Sequence, residues 1–155
     1  MSNANKTWGW HHAKSAEWLK AVLGGYSSFH DSAVRSLCLR RIRQTHEDVN
    51  GLPLTGNRVR ELLDLRLEVL HNRYGAPPVS ERPDCIVVLD FLDIRTSDID
   101  VNGMIEEATI MEMTLAEMPG ELIRLDLTPN VGLDIRLTCK EVVVVDIGPY
   151  KRDIS

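Results

Sequence analysis

Alternation of apolar and polar residues with period two recurs along most of this chain, and it restricts the fold more than any other feature. In "ELLDLRLEV" Leu63, Leu65, Leu67 and Val69 fall on one side, while Asp64, Arg66 and Glu68 fall on the other. Such a run is a half-buried antiparallel strand. "CIVVLDFLDI", residues 85–94, is the strongest strand of the chain. Cys85, Val87, Leu89 and Phe91 share one face, and Ile86, Val88 and Leu92 make the other largely apolar, so this strand is expected at the centre of a sheet. Asp90 interrupts that second face. Ile123, Leu125 and Leu127 alternate with Arg124 and Asp126, and Leu133, Ile135, Leu137 and Cys139 alternate with Asp134, Arg136 and Thr138. "EVVVVDI" closes the series before Gly148-Pro149.

Two further runs are less regular. Val34, Leu37 and Leu39 suggest a first strand ending in the basic patch Arg40-Arg41-Ile42-Arg43. Residues 104–115 place Ile105, Thr109, Met111 and Met113 on one side and Glu106 and Glu112 on the other, with Ile110 breaking the pattern. Met and Glu favour helices, but the Ala108-Thr109-Ile110 centre and the flanking Asn102-Gly103 turn favour a strand. Turn residues separate the runs: a long loop over 44–58, Tyr74-Gly75-Ala76-Pro77-Pro78 leading on to Pro83, Pro119-Gly120 and Pro129-Asn130.

One segment has helical spacing. From Lys14, Trp18, Leu19, Val22 and Leu23 share a face, Ser15 can cap the start and Gly24-Gly25 stops it. A helix of residues 14–24 is short enough to need a sheet beneath it, and Trp8, Trp10 and Trp18 are expected to pack it and the N-terminal arm, residues 1–13, onto the body. The expected fold is α+β and mainly β. One N-terminal helix lies on a curved antiparallel sheet or partial barrel of about seven strands, over residues 29–150. With 155 residues, 43% of them hydrophobic, one domain with a sizeable core is expected.

Lys and Arg number 18 against 23 Asp and Glu, a formal net charge of −5, which is not the basic footprint of a nucleic-acid binder. Cys38, Cys85 and Cys139 form no CxxC pair and sit in strand-like runs, as buried free thiols do in a reducing cytoplasm. No stretch approaches the roughly 18 apolar residues of a membrane span. No charged-then-apolar leader opens the chain, so a cytoplasmic location without membrane contact is expected.

Phosphate-cradle, nucleophile-elbow and zinc-protease patterns do not occur, and neither a catalytic set nor a cofactor is expected. His30-Asp31 is the best catalytic or metal candidate. Adjacent residues on an extended segment point to opposite faces, so contact between the two is not expected. A metal would need further ligands, and the spacing of His11, His12, His46 and His71 predicts no convergence. Asp31 suits a turn before a strand, where a short carboxylate accepts backbone N–H groups. The acidic run Asp90, Asp93, Asp98 and Asp100 reads as a solvated sheet rim, a cation site of oxygen ligands or a surface that captures a basic partner.

"YSSFHDSAVRSLCLRR" resembles the N-terminal signature of small bacterial immunity proteins from polymorphic toxin systems, and the immunity protein 50 family in particular. There a short helix leads into a tight aromatic corner and then an "hDxeV" segment that opens the first strand, positions held here by Phe29, His30, Asp31 and Val34. "LEVLHNRYGAPP", "CIVVLDFLDIRTSDI" and "GLDIRLTCKEVVVVDIGPY" continue the similarity in rhythm, over roughly residues 18–150.

The resemblance implies a cytoplasmic inhibitor, not an enzyme, that binds and neutralises a cognate toxin. An acidic inhibitor suits a basic toxin, with charge raising the association rate. The contact expected on that reading comprises Asp93, Asp98 and Asp100 with the loop Tyr74–Arg82, Tyr74 being its strongest single contributor. Two other classes stay open. One is a small metal-dependent enzyme or ligand-binding module with a site at His30 and Asp31. The other is a structural subunit whose strand edges pair into an oligomer. As a toxin binder the chain is a monomer or a homodimer.

Overall fold

The period-two runs become six antiparallel strands: β1 (Ala33–Thr45), β2 (Arg60–His71), β3 (Cys85–Asp100), β4 (Thr109–Met118), β5 (Leu122–Val131) and β6 (Asp134–Pro149). A computed structural model describes residues 6–71, 84–101 and 109–150. The turn expected at Asn102-Gly103, the positions Ile105, Glu106 and Ala108, and the whole loop Tyr74–Arg82 lie outside the described residues. The strands follow the order β1-β2-β3-β6-β5-β4 and close into a barrel. The fold is therefore mainly β and antiparallel with one helix, as the alternation required. No helix among the described residues is long and apolar enough to cross a membrane.

Six strands replace the seven expected because the last two runs are one. β6 passes through Lys140 without a turn, although its inward residues step by three there, from Cys139 to Val142. β3 makes the matching step from Phe91 to Ile94, with Asp93 left-handed at φ 57 between them. Phe91 faces Val142 and Ile94 faces Cys139 across the ladder. Both long strands thus kink at one level, the strong local bend that bulges give to barrel walls. A sequence reader sees only a broken phase.

From Leu65 onward the inward faces are those the alternation marked, but at the start of β2 Leu62 and Asp64 are buried and Leu63, expected inward, is only half-buried, the β1–β2 register slipping there. Leu65, Leu67, Val69, Val87, Leu89 and Phe91 are fully buried, with Leu125, Leu127, Ile135, Leu137 and Cys139 opposite them. β4 departs from expectation. Ile110 and Met113 are buried, while Met111 is exposed. The β4–β5 register slips between Ile110–Pro129 and Glu112–Thr128, so a bulge at Met111 turns that side chain outward. The turn expected at Pro129-Asn130 is instead part of β5, and the chain reverses at Gly132, φ 90.

The barrel closes through a narrow seam. β1 and β4 share one described ladder pair, Ala33–Thr109. The chain ahead of β1 extends the closure: Met113 N–H donates to Ser28 O (2.7 Å), Asp31 N–H to Ile110 O (2.8 Å) and Ile110 N–H to Ser32 O (2.9 Å). Beyond it the N-terminal arm straps β4 to β6. Leu115 N–H donates to Trp8 O and Trp10 Nε1–H to Met113 O, while Lys14 exchanges backbone bonds with Val142 and Val144. Gly9 makes this approach possible. Its φ is 83, and a Cβ there would lie 1.7 Å from Leu115 O.

The arm accounts for a shorter helix than expected. Lys14 is held extended by β6 and Ser15 is left-handed, so α1 begins at Glu17 with Ala16 at its cap position and ends at Leu23 with Gly24 left-handed. Ser15 is not the cap. Trp10 is buried and Trp8 packs against the core, but Trp18 is 45% exposed, because seven residues turn only one side, that of Leu19, fully inward. Of the thiols, Cys85 and Cys139 are buried and Cys38 is half-buried.

Candidate functional site

Three places deserve comparison: the corner at Phe29–Asp31, the outer face of β1–β3, and the acidic end of β3. The corner comes first because it closes the barrel. Phe29 (φ 60) and Asp31 (φ 63) are both left-handed, a conformation that costs an L-residue about 1–2 kcal/mol. Burial and bonding hold it in place. Phe29 is fully buried, its ring 5.0 Å from Trp10 and 6.0 Å, edge-on, from His71. Its N–H donates to Ser27 Oγ (2.8 Å).

His30 and Asp31 do meet, at 3.6 Å between Nε2 and Oδ2. The expectation that they diverge assumed an extended backbone, and the left-handed turn at Asp31 removes that assumption. His30 Nδ1 lies 2.8 Å from Met111 O, so it carries the proton that this carbonyl accepts. Asn130 Nδ2–H donates to Asp31 Oδ1 (3.3 Å) and to Ile110 O (3.1 Å). His30 thereby fastens the segment ahead of β1 to the bulged start of β4, and Asp31 fastens it through Asn130 to β5. Val34 packs on the core beside them. No group of three or more His, Cys, Asp or Glu that could hold a metal ion occurs among the described residues.

The second place was not legible from the sequence. β2 pairs with β3 only from Leu65 onward, whereas it pairs with β1 back to Arg60. Residues 39–45 and 60–64 therefore form a two-stranded ribbon that extends past the barrel wall, and residues 46–59 cap it. Aspartate–arginine pairs hold this arm. Arg43 grips Asp64 with two bonds (2.7 and 2.8 Å), Arg66 grips Asp90 likewise, and Arg60 takes both oxygens of Asp93 (3.0 and 3.3 Å). Such fork-to-fork pairs fix geometry as well as charge. Asp64 Oδ1 also accepts Asp93 N–H (2.9 Å), and Arg95 joins Asp93 Oδ2 (3.0 Å) to Val49 O (2.8 Å). Asp90, which broke the apolar face of β3, stands directly opposite Arg66 in register.

Burial pushes the Asp64 and Asp93 carboxyls up, but the guanidinium bonds outweigh it, and both sit below the usual carboxylate range. Their arginines are correspondingly raised, first by those same bonds. The loop is ordered by its own contacts: Asp48 Oδ1 accepts the N–H groups of Asn50 and Leu52, and Leu54 N–H donates to His46 O (2.6 Å). Under the arm lies a cleft of about 690 Å³, with Arg60, Asp93 and Arg95 among its lining residues and Glu47, Lys140 and Glu141 at other positions around it.

The arm is also where apolar surface is left uncovered. Leu39, Ile42, Val49, Leu52 and Val59 are five of the ten large apolar side chains exposed among the described residues, and Ile42 is the most exposed at 74%. Arg40 and Arg41 flank it. Arg40 reaches only Cys38 Sγ (3.4 Å), and Arg41 makes no hydrogen bond or ion pair among the described residues. The bulge in β1 between Arg40 and Arg43 is what sets Ile42 outward.

The acidic run is divided. Asp90 and Asp93 belong to the arginine network, and Asp93 is buried with both oxygens bonded. Asp98 and Asp100 are exposed, Asp98 opposite Arg136 and Asp100 opposite Asp134. Tyr74 lies outside the described residues. The structure thus separates three of the four expected contact residues: Asp93 from the Asp98–Asp100 pair. Register was the missing signal for Arg66–Asp90, recognisable as a pair only once the strands are aligned, while Arg43 faces Leu62 in register and reaches Asp64 diagonally at the β1 bulge. No protein-family model matches the chain, and neither a curated protein nor a solved structure matches it.

Proposed function

We propose that this chain is an inhibitor of the immunity-protein kind, which binds a cognate toxin in the cytoplasm they share and blocks it without doing chemistry of its own. One observation carries the reading: an arm stiffened by bidentate ion pairs that holds Ile42 and its apolar neighbours out in solvent. Exposed apolar side chains gathered on a rigid projection are a feature of protein-contact surfaces. The His30–Asp31 contacts favour a structural role over a catalytic one, since His30 Nδ1 is committed to Met111 O on β4 and Asp31 Oδ1 to Asn130 on β5. Affinity capture with the intact chain as bait tests the proposal. Stoichiometric recovery of one polypeptide whose activity the chain suppresses supports it, and recovery of none under native conditions removes it.

A second reading keeps the partner basic and seats it on Asp98 and Asp100. Their exposure, side by side at the end of β3, favours it. On that reading Asp98→Lys with Asp100→Lys weakens capture and flattens its salt dependence; unchanged affinity and salt slope exclude it.

A further inference from the structure

We infer that the arm is the surface that meets the partner, and that the partner presents there an apolar pocket edged by carboxylates. This rests on the inhibitor reading above and goes beyond it by fixing the chemistry of the contact. The segment Leu39–Thr45 carries Arg40, Arg41 and Arg43 and no carboxylate, in a chain whose net charge is −5. Ile42 therefore sits in a local run of positive charge, with Arg43 already paired to Asp64, while the chain as a whole carries an acidic excess. An apolar knob 74% exposed between guanidinium groups fits an apolar socket with an acidic rim. Apolar anchors ringed by arginine are where binding energy concentrates, and opposite charge at the rim sets register and association rate. Preorganisation argues the same way. Arg43 is already locked onto Asp64 and the loop is tied to Arg95 through Val49 O, so docking orders little that is not ordered already.

Two other occupants fit less well. A second copy meeting arm to arm sets Arg40 and Arg41 against their equivalents, which like-charge repulsion disfavours. A single-stranded nucleic acid needs stacking platforms, and no Phe, Tyr or Trp occurs from Leu39 to Val59.

The test uses the full chain with the photo-crosslinker benzoylphenylalanine replacing Ile42 in one preparation and Asp98 in another, each irradiated in lysate of the source cell and read by mass spectrometry. A cross-link from position 42 to an Asp- or Glu-rich peptide of another protein, reduced about tenfold or more by Arg40→Glu with Arg41→Glu, is the expected result. These arginines lie at the surface, so an unchanged melting temperature shows that the fold survives. Attachment from position 42 to a peptide of this same chain, or to a peptide lacking carboxylates, overturns the inference. Cross-linking from position 98 alone overturns it too but leaves the inhibitor reading intact. Silence at both positions overturns both.

Discussion

Replacing Phe29 tests whether the Phe-His-Asp corner is a structural closure. Its ring is fully buried between Trp10 and His71, so Phe29→Ala removes a large packed side chain and opens a cavity at the seam. Such changes cost about 3–5 kcal/mol. For a chain of this size each kcal/mol lowers Tm by about 2–4 °C, so a fall of about 6–20 °C is expected. Phe29→Gly supplies the sharper comparison. Glycine normally destabilises relative to alanine by about 0.5–1 kcal/mol, but at φ 60 alanine keeps a left-handed penalty of about 1–2 kcal/mol that glycine escapes. The glycine variant should therefore be the more stable of the two, by roughly 0–1.5 kcal/mol from the difference of those ranges. Urea unfolding measures the difference, and amide exchange at Asp31, Ile110 and Met113, the three seam donors, reports where it acts. If alanine is the more stable, or if those three amides exchange no faster in either variant than in the parent, the corner does not close the barrel.

Three further outcomes follow from the same structure. Gly9→Ala places a methyl group 1.7 Å from Leu115 O at φ 83, so it should displace the arm and lower Tm by several degrees; an unchanged Tm and unchanged exchange at Leu115 would show that the arm is no strap. Asp64 and Asp93 have folded pKa values below the ordinary carboxylate range, so their contribution is fully present above about pH 4 and is lost as pH falls through the folded values; the urea midpoint should drop steeply there, and more shallowly in Asp64→Asn. Burial raises the Cys85 thiol to about 11 and the Cys139 thiol to about 12, so a disulfide reagent at neutral pH should label Cys38 in the native chain and the other two only after unfolding; rapid native labelling of three thiols would contradict their burial.

The sequence made the barrel wall legible and its joints illegible. Period-two runs marked β3, β5 and, from Leu65 onward, β2 with their inward faces, because alternation directly records which side meets the core. It failed where the backbone leaves the regular pleat. The kink at Asp93 and Lys140 made one strand look like two, and the bulge at Met111 disguised β4. The left-handed turn at Asp31 brought His30 and Asp31 together against expectation. Phe does not announce a positive φ and Asp only tolerates one, so these features depend on packing more than on local preference. The candidate site was hidden for a related reason. Arg40-Arg41-Ile42-Arg43 was visible as a basic strand end, but that it lies on a ribbon extending past the wall depends on where β2 stops pairing with β3.

The central claim is that the chain inhibits by contact, through its arm. The most direct measurement takes the captured partner, assays its activity and titrates it with this chain. The account predicts complete loss of activity at one equivalent, with Ile42→Asp needing about tenfold more protein or above for the same effect. Full partner activity at saturating chain, or equal potency of the Ile42→Asp variant, would contradict it.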